Sequence, residues 1–212
     1  MSSTSRDATA GSGGQNTGRG VGVHFGGDLQ RALLDAGRDE LAAVGPDRLS
    51  LRGVARRAGV SHAAPAHHFG GKTGLLTALA AEGFASLHAA LADAVGRADD
   101  PREQLGALGA AYADFAADHP GEFELMFRQS LIDTDDPRYR EASAASYDVL
   151  RTQVERLQGS GWRESTPSDE LTTATWALVH GLSTLRIHGA LQPNAQGLTT
   201  SDLVRIATAV LD

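Results

Sequence analysis

The sequence predicts an all-α protein: a three-helix helix-turn-helix head followed by a larger helical body, about nine helices in all. Three observations carry that reading. From residue 28 onward apolar side chains recur every three or four positions, the period of a helix with one buried face. Ser, Asp, Gly and Pro punctuate the periodic runs where helices start and stop. Residues 49–76 spell two short helices around a tight glycine turn.

Residues 1–26 are a Ser, Thr and Gly mixture and read as a disordered tail, too poor in apolar side chains to build a core. From Asp28, Leu29, Ala32, Leu33, Ala36, Leu41 and Val44 share one arc of a first helix, which Gly45-Pro46 stops. Glu40 falls inside that arc, and nothing in the sequence explains it. In the next helix Ser50 is placed to cap the start, Val54 and Ala55 face inward, and Gly59 supplies a left-handed ending. Val60 fills the corner, and Ser61 is expected to cap a second helix running to about His68. An ordinary helical hairpin is the alternative to a DNA-reading motif here.

Residues 72–99 form a long helix with Leu76, Ala80, Phe84, Leu87, Leu91 and Val95 on its stripe, ended by Asp99-Asp100-Pro101. Leu105, Leu108, Tyr112 and Phe115 mark another helix before His119-Pro120. A short helix carries Phe123, Met126 and Phe127, and a longer one carries Tyr139, Tyr147, Leu150, Val154 and Leu157. After a loop over 159–167, a helix over 168–191 is apolar on two faces: Leu171, Ala174, Leu178, Leu182 and Leu185 on one, Trp176, His180 and Ile187 on the other. Ser201 then caps a last helix ending near Leu211. Two successive helices apolar all round suggest a homodimer built on a four-helix bundle, with a deeper monomer core as the alternative. The expected units are the tail at 1–26, a helix-turn-helix DNA-binding domain at 27–71 and a larger helical dimerisation domain at 72–212.

The net charge of -7 divides unevenly. Residues 1–75 hold nine Lys+Arg against six Asp+Glu, while the remainder holds ten against twenty. Screening over about 8 Å at physiological salt leaves a basic head little affected by a remote acidic body. There is no cysteine, which excludes disulfides and cysteine-ligated zinc. The first twenty residues lack the apolar run of a secretory signal, and the uncharged stretch at 171–185 is too short to cross a bilayer, so a cytoplasmic protein with no membrane partner is expected.

For DNA, Lys72 is the chain's one lysine and sits at a helix N-terminus, where charge and free amides suit a phosphate. Arg52 is the next backbone contact, and Arg56 and Arg57 read as solvated charges. His62, Ala63, Ala64 and His67 face the major groove from the helix that Ser61 caps at the DNA, with Ala63 against a thymine methyl, and His67 and His68 can hold neighbouring phosphates. A metal site from His62, His67 and His68 is discounted, because adjacent histidines on a helix point about 100° apart. Gly71-Lys72-Thr73 matches the end of a phosphate-binding loop, but Ala66 stands where that loop needs glycine. No cofactor is expected, and no catalytic constellation stands out. Two other function classes remain: an enzyme on a helical scaffold, and a helical interaction module whose motif no longer touches DNA.

Leu49, Ser50, Val54, Ala55, Ala58, Gly59, Val60, Ser61, His68, Phe69 and Lys72 together resemble the N-terminal pattern of the tetracycline-repressor family of bacterial regulators. Trp176, His180 and Gly181 resemble the Trp-x-x-x-His-Gly signature of one subgroup of its ligand-binding domains. The resemblance implies a homodimer on a double-stranded palindromic operator, usually a repressor, released by a small-molecule effector that enters its larger domain, which makes 72–212 a ligand-binding and dimerisation domain. The family usually has a phosphate-contacting tyrosine where this chain has Ala66. An effector pocket is expected between the long helix and its neighbours, lined by Phe84, His88, Tyr112, Phe115, Met126, Phe127, Trp176 and His180. The long helix, running from Lys72 past His88, would act as a lever that alters the spacing of the two recognition helices.

Overall fold

A computed structural model of the chain describes residues 25–191 together with 197, 199 and 202. Both the expected tail at 1–26, apart from the helical backbone at 25 and 26, and the expected last helix, apart from residue 202, lie outside these residues. Within them are eight α-helices, one 3-10 turn and no strand. They are α1 (Phe25–Arg48), α2 (Leu51–Ala58), α3 (Ala64–Phe69), α4 (Lys72–Gly96), α5 (Pro101–Asp118), α6 (Pro120–Met126), α7 (Pro137–Gln158) and α8 (Ser168–Ile187), with the 3-10 turn at Gln129–Leu131.

The boundaries follow from local chemistry. Gly45 breaks α1 with φ 76° and ψ 169°, so the helix proper stops there and Pro46 opens a further turn. Asp100 and Asp136 cap α5 and α7 by accepting backbone N–H groups, and each is followed by a proline whose missing amide would have had no partner in the first turn.

The core runs along α4, which packs most extensively on α7 and then α5, and also touches α1, α3 and α6. Leu75, Leu76, Leu79, Ala80 and Leu87 of α4 are at most 1% exposed, so this helix is interior on most of its circumference. Its length and composition alone would suit a membrane span, and half of that stretch is buried within the fold. On α1, Ala32 is exposed and Leu34 buried, so the inward arc is turned slightly from the expected one.

Helix α8 differs from its expected two apolar faces. Its inward strip is Leu171, Thr172, Thr175, Val179 and Ser183. The three hydroxyls are satisfied within the helix, Thr172 Oγ1 donating to Ser168 O at 2.7 Å, Thr175 Oγ1 to Leu171 O at 2.7 Å and Ser183 Oγ to Val179 O at 2.8 Å. Trp176 and His180 lie on one shoulder of this strip. Leu178 and Leu182 are half-buried on the other side, where Leu185 is 47% exposed.

Candidate functional site

The head is held by a polar contact as well as by packing. Ser50 Oγ accepts from Gly53 N–H at 3.0 Å, Gly59 closes α2 in the left-handed region at φ 67°, and Val60 N–H returns to Ala55 O at 3.1 Å. Glu40, unexplained in the sequence, is 5% exposed and accepts from Arg57 Nε at 2.6 Å, tying α1 to α2. Arg57 is therefore not the free solvated charge expected of it. Gly53 leaves room for this pair: a Cβ there would lie 2.6 Å from Glu40 Cδ and against its Oε1. Arg52 and Arg56 are exposed, and their side chains make no hydrogen bond or ion pair among the described residues.

The second helix of the motif begins at Ala64 instead of Ser61. A helix capped by Ser61 would need residue 65 to donate its amide to Ser61 O, and Pro65 has none. Ser61 instead accepts from Ala64 N–H through its carbonyl at 3.0 Å, forming a turn, and Pro65 sits buried in the first helical turn. Ser61, His62, Ala63, Ala66 and His67 are exposed, while Ala64 and His68 are half-buried. His67 and His68 stand edge to face with ring centres 5.7 Å apart.

Lys72 opens α4, whose N-cap Gly71 offers no side-chain partner to the first-turn amides. Its Nζ donates to Asp47 O at 3.1 Å. The Asp47 carboxylate accepts from Arg128 Nη2 at 2.6 Å, and Arg128 Nη1 reaches Glu124 of α6 at 2.7 Å. A second set of ion pairs joins the same helices, Arg38 of α1 bonding Glu82 of α4 and lying 3.9 Å from Glu122 of α6. Burial lifts the Glu122 carboxyl above its ordinary pKa, opposed by Arg38 and His119 and reinforced by Glu82.

Between α4, α5, α7 and α8 lies a cavity of about 430 Å³. Leu87, Leu108, Leu150 and Val179 form its buried floor, Phe84, Tyr112, Phe127, Tyr139 and Trp176 its aromatic walls, and Gln129, Arg140, Ala144 and Tyr147 line its more open side. The Tyr112 hydroxyl lies 2.8 Å from His180 Nδ1 and accepts from Trp176 Nε1–H at 3.4 Å. Indole only donates, so the Tyr112 oxygen accepts from Trp176, while its contact with His180 Nδ1 is made by either neutral tautomer of the ring. Burial holds the His180 pKa below its usual value and raises that of Tyr112 against the opposing pull of the Trp176 hydrogen bond. Tyr139 donates to Met126 O at 3.2 Å, and burial raises its pKa too.

Two family models match the chain: "Bacterial regulatory proteins, tetR family" over residues 33–79, and "Tetracyclin repressor-like, C-terminal domain" over residues 105–210. The chain belongs to the tetR family of bacterial regulatory proteins. It is a transcription regulator of the helix-turn-helix, DNA-binding kind. A protein with unknown function from Rhodococcus sp. RHA1 is 35% identical, with 86% of this chain and 93% of that one covered and a TM-score of 0.75. The tetR-family regulator PfmR of Thermus thermophilus is 18% identical over 84% of this chain and 96% of its own, with a TM-score of 0.65. A tetR-family transcription regulator from Marinobacter aquaeolei VT8 is 21% identical over 85% and 94%, also at 0.65. These two share the fold. No curated protein matches the chain.

Four of the eight side chains expected around the regulator's pocket, Phe84, Tyr112, Phe127 and Trp176, line the cavity. The other four face elsewhere. Met126 is fully buried with Sδ against Gly83, filling the gap between α6 and α4. Phe115 stacks at a tilt on His119 with ring centres 5.0 Å apart. His88 engages Ala145 O on α7 through Nδ1 at 3.1 Å. His180 sits behind Phe127, ring centres 4.5 Å apart, and lines a smaller cavity of about 190 Å³. The sequence reading missed Arg140, Ser143 and Gln129, and took Tyr139 and Tyr147 of the regulator only as core. Their signal was the 139, 143, 147, 150 spacing, one face of α7, in which a serine interrupts the apolar stripe.

Proposed function

We propose that this regulator is a cytoplasmic homodimeric repressor that holds a palindromic operator and releases it when a small molecule fills the 430 Å³ cavity. The observation that carries the reading is that two adjacent residues, Phe127 and Arg128, join the cavity wall to the head. Phe127 lines the cavity, and the next residue, Arg128, bonds Asp47, whose carbonyl holds Lys72 at the start of α4. A ligand that displaces Phe127 therefore pulls on the junction of the head with α4, a rigid helix about 37 Å long at 1.5 Å per residue over 25 residues. Differential affinity for two tilts of that helix is what shifts the dimer off its site.

In this reading residues 27–71 are the DNA-binding domain and 72–212 the ligand-binding and dimerisation domain. Arg52, His68 and Lys72 hold phosphates, and His62, Ala63 and His67 lie toward base edges beside Ser61. Trp176, His180 and Gly181 are the subgroup's Trp-x-x-x-His-Gly signature, acting here to fix the cavity wall through Tyr112. The outward leucines of α8 form the dimer contact. Gel retardation on the protein's own upstream DNA tests the proposal, comparing wild type with Lys72→Ala and Arg52→Ala after circular dichroism has verified folding. Retention by wild type and weakened retention by both variants supports it. Equal retention of operator and scrambled DNA refutes it.

A further inference from the structure

We propose that the cavity takes an aromatic carboxylate, with Arg140 as the partner of its charged group; this rests on the ligand-release reading above. Six of the sixteen cavity-lining residues are aromatic, Phe84, Tyr112, Phe127, Tyr139, Tyr147 and Trp176, in a chain only 5% aromatic. That enrichment favours an occupant with rings of its own, since aromatic pairs gain from edge-to-face packing beyond the area they bury. The tyrosine hydroxyls do not call for a polar ligand. Tyr112 is engaged with His180 and Trp176, Tyr139 with Met126 O, and Tyr147 lies 3.4 Å from Thr173 Oγ1.

Arg140 is the one residue of formal charge on the lining. It is exposed, and among the described residues its side chain has no hydrogen bond or ion pair, whereas Arg138, two residues earlier, lies 3.8 Å from Asp136. A planar guanidinium at an apolar cavity whose lining also holds Gln129 and Ser143 matches a carboxylate in charge and in fork geometry. The cavity volume lies within the range of about 300–1,000 Å³ typical of small-molecule sites.

Isothermal titration of the full chain with 2-naphthoate, 2-naphthalenemethanol and decanoate tests this, alongside operator retention with each compound. Wild type is expected to bind naphthoate about tenfold more tightly than the neutral alcohol, the scale of one charge-assisted hydrogen-bonded contact at a partly exposed site. Naphthoate is also expected to bind more tightly than decanoate. In Arg140→Gln the preference for naphthoate over the alcohol is expected to fall to about twofold or less, with the alcohol bound as before. Equal binding of acid and alcohol by wild type, an undiminished preference in the variant, or tighter binding of decanoate overturns the assignment. If the alcohol binds and releases operator as well as the acid does, the ligand class is wrong and the release mechanism stands. If naphthoate binds with the expected preference and no compound affects retention, the ligand class stands and the release mechanism is wrong.

Discussion

Gly53→Ala is expected to destabilise the head through a side chain 13 positions away, Glu40. The added methyl would meet the Glu40 carboxylate, with Cδ at 2.6 Å, so the carboxylate must leave its place against α2. Overpacking of this kind costs about 1–3 kcal/mol. Moving Glu40 also weakens its 2.6 Å bond to Arg57, whose side chain is 37% exposed, so solvent screening limits that loss to about 1 kcal/mol. Against these, alanine is the better helix former by about 1 kcal/mol. The net is about 2 kcal/mol, or about 4–8 °C in Tm for a chain of this size. The assay is thermal unfolding by circular dichroism in a double-mutant cycle with Glu40→Ala. Once the carboxylate is gone, the nearest remaining neighbour is Ser50 Oγ at 3.1 Å, which a shift of a few tenths of an ångström relieves. In that background Gly53→Ala is expected to be neutral or to stabilise by up to about 1 kcal/mol. An equal loss with and without Glu40 would refute the close-approach argument.

Three further outcomes follow from the same geometry. Ala66→Tyr, on the exposed side of α3, is expected to tighten operator binding about three- to tenfold through one added phosphate hydrogen bond; gel retardation at fixed salt reads it, and unchanged affinity counts against α3 as the DNA face. Leu185→Glu, at a position 47% exposed, is expected to shift the protein from dimer to monomer in light scattering without loss of helicity, and a persisting dimer would place the interface away from these leucines. The pKa of His180 is lowered by burial from 6.5, so the unfolded chain takes up the proton first, and the contribution is intact above that pH and lost as pH falls below it. His180→Asn is therefore expected to lose less stability than wild type between pH 7 and 5.5 in matched thermal scans. Parallel pH curves for the two proteins would remove His180 from the account.

What the sequence determined by itself is local. Helical period, the Ser50 cap and the Gly59 ending depend on residues within one or two turns of each other, so the helix-turn-helix and the all-helical body were legible from the chain alone. Even the late start of α3 was within reach, since Pro65 lacks the amide a Ser61-capped helix needs. Periodicity names the face a residue occupies but not the helix that will cover it. Only the tertiary structure could pair Glu40 with Arg57, Tyr112 with His180 across 68 positions, or Arg128 with Asp47 across 81. The same limit hid the cavity: Met126 and Phe127 are neighbours in sequence with the same apolar character, yet packing buries one against Gly83 and leaves the other as a wall. Which of two apolar side chains meets empty space depends on how four helices fail to fill the volume between them, and no single helix carries that information.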